Sequence, residues 1–263
     1  MFCLSSSWSW VKSDDRLNFV FFLVDDLGYM DVGFNNPGTF YETPNLDQLA
    51  RSGMVFTDFY AAAPVCSPTR ASILTGKYPA TLNSTNYFTG KRSEQFVPPS
   101  YVNELPESET TLAEALKSNN YQTFFAGRWH LGNNGPAPLD HGSDENHGGG
   151  RNGSPRNYFA PYKNIFNLEP GPDGEHLTAR LAEESIGFID RLSGDDPFLL
   201  YLSFYSVHTP LQAPEELIQK YEAKAKLLPA GDDFKIGGER QVWPNTKDRR
   251  RVRIRQSNPT YAA

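Results

Sequence analysis

The sequence is poor in cysteine, methionine and histidine: among 263 residues there are 2 Cys, 3 Met and 5 His. Two cysteines, Cys3 and Cys66, cannot build a disulfide framework or a Cys-based zinc site. No run of about 18 apolar residues occurs, so no helix is expected to span a membrane. Positive charge is in the minority, with 25 basic against 31 acidic residues and a net charge of −6. That balance speaks against a general nucleic-acid binder, because a phosphate backbone requires a basic surface. The composition also excludes collagen, a disordered tail and a coiled coil. Residues 1–16 lack a basic stretch leading into a clean apolar segment, so no signal peptide is legible. Residues 1–17 read as a leader or extension, and 18–263 as the folded part.

What is present is an apolar, aromatic chain, 38% hydrophobic and 13% aromatic, with enough material for a sizeable core. Phe19 to Val24 is an unbroken apolar run, suited to a central parallel strand buried on both faces. Thr43-Pro44 opens a helix with Leu46, Leu49 and Ala50 on one face and Gly53 as its stop. Val55 to Tyr60 reads as a short strand. Ser67 is a candidate N-cap with Pro68 at the first helical position, and Gly76 ends that helix. Further helices are expected near Thr111 to Ser118 and Glu175 to Leu192, and strands at Gln122 to Ala126 and Phe198 to Phe204. Strands alternating with helices imply an α/β fold with a mainly parallel sheet flanked by helices. Residues 133–174, rich in Gly, Pro and Asn, are too long for an ordinary connection and read as a substrate-facing excursion. The segment 229–263, with Lys247, Arg249, Arg250, Arg251, Arg253 and Arg255, reads as a solvated, irregular surface, with an anionic polymer contact as the alternative.

Three strand ends deliver polar clusters: Asp25/Asp26, Arg128/His130 and His208. Ligands of open parallel sheets bind outside the carboxyl ends of the strands, so these clusters should meet on one rim. Adjacent carboxylates past a buried strand are costly unless something positive sits between them. Either a hard cation such as Ca²⁺ or Mg²⁺ fills that role, or one Asp caps a turn and the other is solvated. Cys66 stands where helix N–H groups favour an anion or a thiolate, with Arg70 one turn on; the plainer alternative is a small buried Cys beside a surface Arg. A thiol enzyme would need His130 or His208 as base. His141 and His147 in the Gly-rich excursion, and His176 at a helix start, are expected to be solvated or capping. Lys77 follows Gly76 as a C-terminal charge partner.

Five segments together resemble the type I sulfatases of the alkaline phosphatase superfamily. They are Val24-Asp25-Asp26-Leu27-Gly28, Thr43-Pro44-Asn45-Leu46-Asp47, Cys66-Ser67-Pro68-Thr69-Arg70 running to Thr75-Gly76, Gly127-Arg128-Trp129-His130-Leu131-Gly132, and His208-Thr209-Pro210. The resemblance covers about residues 18–132 closely and 175–225 more loosely. It implies an alkaline phosphatase-like fold and hydrolysis of sulfate esters, with 18–263 the N-terminal part of the catalytic domain. It further implies that a separate formylglycine-generating enzyme oxidises Cys66 to formylglycine, whose hydrate attacks sulfur beside a Ca²⁺ or Mg²⁺ ion. By the same resemblance Asp25, Asp26 and modified Cys66 hold the metal, and Arg70 holds the hydrate. His130 is the base that regenerates the aldehyde, His208 protonates the leaving oxygen, and Lys77 sits where a basic residue is usual. Arg128 stands where the family normally has Lys, a change of geometry as well as size. Family members are about twice this long, and the Asp-Asn pair that completes their metal site has no counterpart here.

The resemblance implies an exported protein acting on a sulfated small molecule or polysaccharide. Asn83 to Tyr101 and the Gly-rich excursion, with Arg151, Arg156 and Lys163, are the expected glycan-facing surfaces. Two other functions fit the same residues. One is a phosphonate or phosphate ester hydrolase of the same superfamily. The other is a non-catalytic remnant that binds anionic glycans.

Overall fold

A computed structural model describes residues 16–90, 99–132, 137–165, 167–194, 196–240 and 249–263. Cys3, Lys247, the 1–15 stretch and the middle of Asn83–Tyr101 lie outside the described residues, as do the side chains at 249–251.

The chain alternates strands and helices. Strand β1 is Phe19–Leu23, followed by helices α1 (Pro44–Ser52), α2 (Cys66–Thr75) and α3 (Leu112–Lys117). Then come strands β2 (Gln122–Gly127) and β3 (Glu145–His147), helix α4 (Leu177–Arg191) and strand β4 (Phe198–Ser203). Helix α5 (Glu215–Ala225), strands β5 (Phe234–Arg240) and β6 (Arg249–Arg253), and helix α6 (Pro259–Ala262) close the chain. The main sheet has order β1-β4-β2-β3 with every pairing parallel. This is the expected α/β architecture, a parallel sheet flanked by helices.

Strand alternation builds two cores, one on each face. Phe124, Ala126, Leu200 and Leu202 point toward Leu177, Leu181 and Phe188 of α4. Phe125 and Tyr201 point the other way, toward Ala71 and Leu74 of α2, with Trp129 and Leu131 beside them. Helix α3 begins with a reciprocal cap in which Thr111 and Glu114 satisfy each other's backbone N–H. Its Thr111 hydroxyl also donates to the His141 carbonyl at 2.7 Å, fastening the Gly-rich excursion to the helix start.

Several local expectations are corrected. Strand β1 is an edge strand among the described residues, not a central one. Phe19, Val20 and Phe22 are 43%, 45% and 55% exposed, because β1 is paired by β4 on one side only. The α1 face is likewise uncovered, with Leu49 60% exposed. Val55 to Tyr60 forms no strand. Residues 145–147 join the sheet as β3, too short and polar to betray themselves by alternation. The irregular tail contains the antiparallel pair β5-β6. His141 is buried, its ring tilted against that of Trp129, rather than solvated. His147 pairs with Glu184 and Glu145, and His176 caps α4 through Thr178 N–H as expected.

Gly127 shows how tightly the sheet ends. It has φ +97°, and a Cβ there would lie 1.9 Å from the Ser203 carbonyl oxygen of β4. Only a residue without a side chain lets β2 turn at this point, and the next residue, Arg128, donates its N–H to that same carbonyl at 2.7 Å. Gly127→Ala is expected to lower stability by about 2 kcal/mol or more, read as a lower urea midpoint. An unchanged midpoint would contradict this reading of the turn.

Candidate active site

Because the strands are parallel, their carboxyl ends share one rim, and the three expected clusters meet there. Asp25 leaves β1 with its N–H donating to Ser206 O at 3.0 Å and its carbonyl accepting from Val207 N–H at 2.8 Å. This backbone exchange ties the end of β1 to the turn carrying His208. Helix α2 reaches the rim from below one face. Its first residue is Cys66 and its N-cap is Val65, so Ser67 is inside the first turn instead of capping it. The Ser67 hydroxyl bridges two other segments, donating to His130 O at 3.0 Å and accepting from Phe88 N–H at 3.1 Å. Gly76 ends the helix in the left-handed region, as expected, with its N–H on Ser72 O.

The centre of the site is a buried charge cluster. Asp25, Arg70 and Arg128 are 7%, 3% and 1% exposed. Arg70 Nη2 donates to Asp25 Oδ1 at 3.1 Å, while Arg70 Nη1 donates to Arg128 O and to Ser203 Oγ, each at 2.6 Å. One guanidinium thus joins α2 to the ends of three strands. Arg128 Nη1 is in ion-pair contact with Asp25 Oδ2, and Arg128 Nη2 lies 3.2 Å from His130 Nδ1. The plain reading of Arg70 as a surface residue is therefore overturned. Burial pushes Arg128 down to about 10, still charged at neutral pH.

His130 is 9% exposed, at φ +56°, with its N–H on Gly150 O at 3.0 Å. Burial, then the charges of Arg128 and Arg70, push its pKa down to about 3. An arginine can only donate, so Nδ1 is the acceptor and the ring proton belongs on Nε2. Gly153 of the Gly-rich excursion lies against the ring: a Cβ there would sit 2.6 Å from His130 Cε1. His208 is more open. Its Nδ1 lies 2.8 Å from Thr209 O, which makes Nδ1 the donor and leaves the Nε2 lone pair free, 3.9 Å from Asp26 Oδ2.

The two neighbouring acids have separated roles. Asp25 turns inward to the arginines. Asp26, at φ +59° and with a side chain 65% exposed, turns outward. One ligand atom each from Asp25, Asp26 and His208 fall within 4.8 Å of one another. The hard carboxylate oxygens suit calcium or magnesium, with the His208 ring standing beside that pair rather than as an oxygen ligand. Asp25 Oδ2 is met by Arg128 Nη1, so a positive charge already stands beside the two acids. Cys66 is not in that triplet, though it is near enough for Asp26 to act on its thiol electrostatically. Burial pushes the Cys66 thiol up, against the opposing pull of the Ser67 N–H and Arg70. A protonated thiol is a poor nucleophile, which disfavours a thiol enzyme. Lys77 is not brought to the site: its Nζ is 2.5 Å from Glu109 at the far end of the 10-residue α2.

Sequence reasoning missed Ser203, Ser67 and Gly153. Ser203 left a trace, a hydroxyl ending the otherwise apolar run of β4. Gly153 left none, since its closeness to His130 is set by the path of the excursion.

Fold and rim together define a parallel α/β protein with a charged site at its strand ends. The chain belongs to the sulfatase family, whose model, described as Sulfatase, matches residues 17–253. It is 34% identical over 226 residues to human N-acetylgalactosamine-6-sulfatase, covering 76% of this chain and 41% of that protein. With human arylsulfatase G it shares 34% over 244 residues, 80% of this chain and 44% of the other. The crystal structure of Ps i-CgsB superposes with TM-score 0.67 at 29% identity, covering 94% of this chain and 51% of that one. The chain thus spans about 40% of the curated relatives and about half of the solved one.

The His130 environment has a consequence in acid. The folded chain keeps His130 neutral down to about pH 3, whereas the unfolded chain protonates it near 6.5. The unfolded state binds more protons between those values, so stability falls as pH is lowered through that window. His130→Asn is expected to flatten the decline in urea midpoint on acidification. An equal slope in wild type and variant would show that His130 carries none of it.

Proposed function

We propose that residues 18–263 form the N-terminal portion of a sulfate ester hydrolase site, acting on sulfated carbohydrates with formylglycine at position 66. The carrying observation is the convergence of Asp25, Asp26, Cys66, Arg70, His130 and His208 on one rim, in a chain of the sulfatase family. Asp25 and Asp26 would hold a calcium ion, with magnesium the alternative. Once loaded, the ion and the oxidised side chain supply a Lewis acid and a nucleophilic oxygen for sulfuryl transfer.

The chain's own groups do the rest. Arg70 holds Asp25 from below and fixes the rim against the helix that bears Cys66. Arg128 and Arg70 place positive charge in a nearly dry site, where it stabilises developing negative charge far better than in water. His208, with its Nδ1–H directed to Thr209 O, presents Nε2 to the open side, where it carries the proton for a leaving alcohol oxygen. His130, buried beneath Gly153, takes and returns a proton at the position 66 oxygen; its lone pair must first be released from Arg128. The shielded floor of Arg128 and His130 excludes water, and the open side at Asp26 and His208 admits substrate.

Carbohydrate substrates are supported by the relatives. One is an N-acetylgalactosamine-6-sulfatase, and Ps i-CgsB, at 30% identity, has been crystallised with k-i-k-neocarrahexaose. Among the described residues no helix is long and apolar enough to cross a membrane. We assign the protein to an exported compartment, by its family.

Co-expression with a formylglycine-generating enzyme tests this reading. Mass spectrometry of the Cys66 peptide should show the thiol replaced by an aldehyde, and aryl sulfate hydrolysis by that preparation should vanish in Cys66→Ala. A peptide that carries only thiol after co-expression sinks the formylglycine mechanism. Faster release from an aryl phosphonate than from the sulfate would reassign the substrate class.

A further inference from the structure

Arg128 is the most enclosed of the three charged residues at the centre of the site, and its contacts point to a role beyond packing. Its guanidinium is 1% exposed and reaches two functional atoms at once, Asp25 Oδ2 and His130 Nδ1. The first contact is an ion pair on Asp25 Oδ2, the carboxylate oxygen that Arg70 does not bond. Asp25 already has one well-formed partner, Arg70 Nη2 on Oδ1. Its second oxygen, Oδ2, is the one Arg70 leaves open to a cation beside Asp26.

We propose that Arg128 is an internal counter-ion occupying the Asp25 end of the cation site, so that a divalent ion binds only by displacing it from Asp25 Oδ2. The inference rests on the cation site proposed above. Two positive charges cannot share one carboxylate oxygen in a buried setting without strong mutual repulsion. Cation entry therefore turns the guanidinium away from Asp25, and the same movement releases His130 Nδ1. A shorter, compact ammonium at position 128 makes fewer fixed contacts and yields more readily. Arg128 is here a positioning residue that sets how tightly the site holds its ion.

The test is calcium binding by titration calorimetry, with the full chain carrying unmodified Cys66. Arg128→Met removes the competing charge and should bind calcium at least about tenfold tighter than wild type, worth about 1.4 kcal/mol or more. Arg128→Lys should fall between the two. Equal or weaker binding by both variants overturns the proposal. Asp25→Asn distinguishes this from failure of the site itself. If Asp25→Asn leaves calcium affinity unchanged in the wild-type and Arg128→Met backgrounds, the cation assignment under the proposed function is wrong. If it removes binding while Arg128→Met has no effect, only the counter-ion role is wrong. Thermal melts of each variant confirm that affinities are compared between folded chains.

Discussion

One buried carboxylate, that of Asp25, organises the site. It meets Arg70 from helix α2 and Arg128 from the end of β2. Removing one partner from a buried ion pair costs about 3–5 kcal/mol, because the remaining charge is stranded. Arg70 in turn bonds the Arg128 carbonyl and the Ser203 hydroxyl, so four elements depend on one another's position. Three strand ends and a helix start are thereby held in register within hydrogen-bond tolerance. Residues placed around this cluster inherit its rigidity: His130 by ring contact with Arg128, and His208 through the backbone exchange between Asp25 and Val207.

Much of the fold is legible in the sequence because it rests on local rules. Thr111 and Glu114 announce α3, Gly76 announces the end of α2, and the apolar run Phe198–Ser203 announces a buried strand. The rest depends on neighbours that a local pattern does not contain. Phe19–Leu23 has the composition of a central strand, yet among the described residues it lies at an edge, since edge or centre is decided by which strands flank it. β3 is three polar residues long and exists only because Phe124 to Ala126 offers it a ladder. Val55 to Tyr60 has strand-like residues but no partner strand among those described.

The candidate site shows the same division. The residue types and their order along the chain point to the rim, and the geometry gathers the expected groups there, Lys77 excepted. Their individual states are not readable from the chain. Asp25 and Asp26 look equivalent in the sequence, but the left-handed backbone of Asp26 sends the pair in opposite directions, one into a dry cluster and one into water. Arg70 and Arg128 look like ordinary basic residues, and only the packing around them shows that both are enclosed. The sequence neighbours of Ser67 suit a cap, whereas its hydroxyl joins α2 to His130.

The exposed rim of β1 carries a cost for handling the protein. An extended segment with Phe19, Val20 and Phe22 open to solvent, and with one side of its backbone unpaired among the described residues, is a template for any other unpaired strand it encounters. Crowding raises the frequency of such encounters. The chain on its own therefore has a concentration ceiling, set by strand-to-strand adhesion at this margin and independent of how well the buried charges at the opposite end of the strands are satisfied.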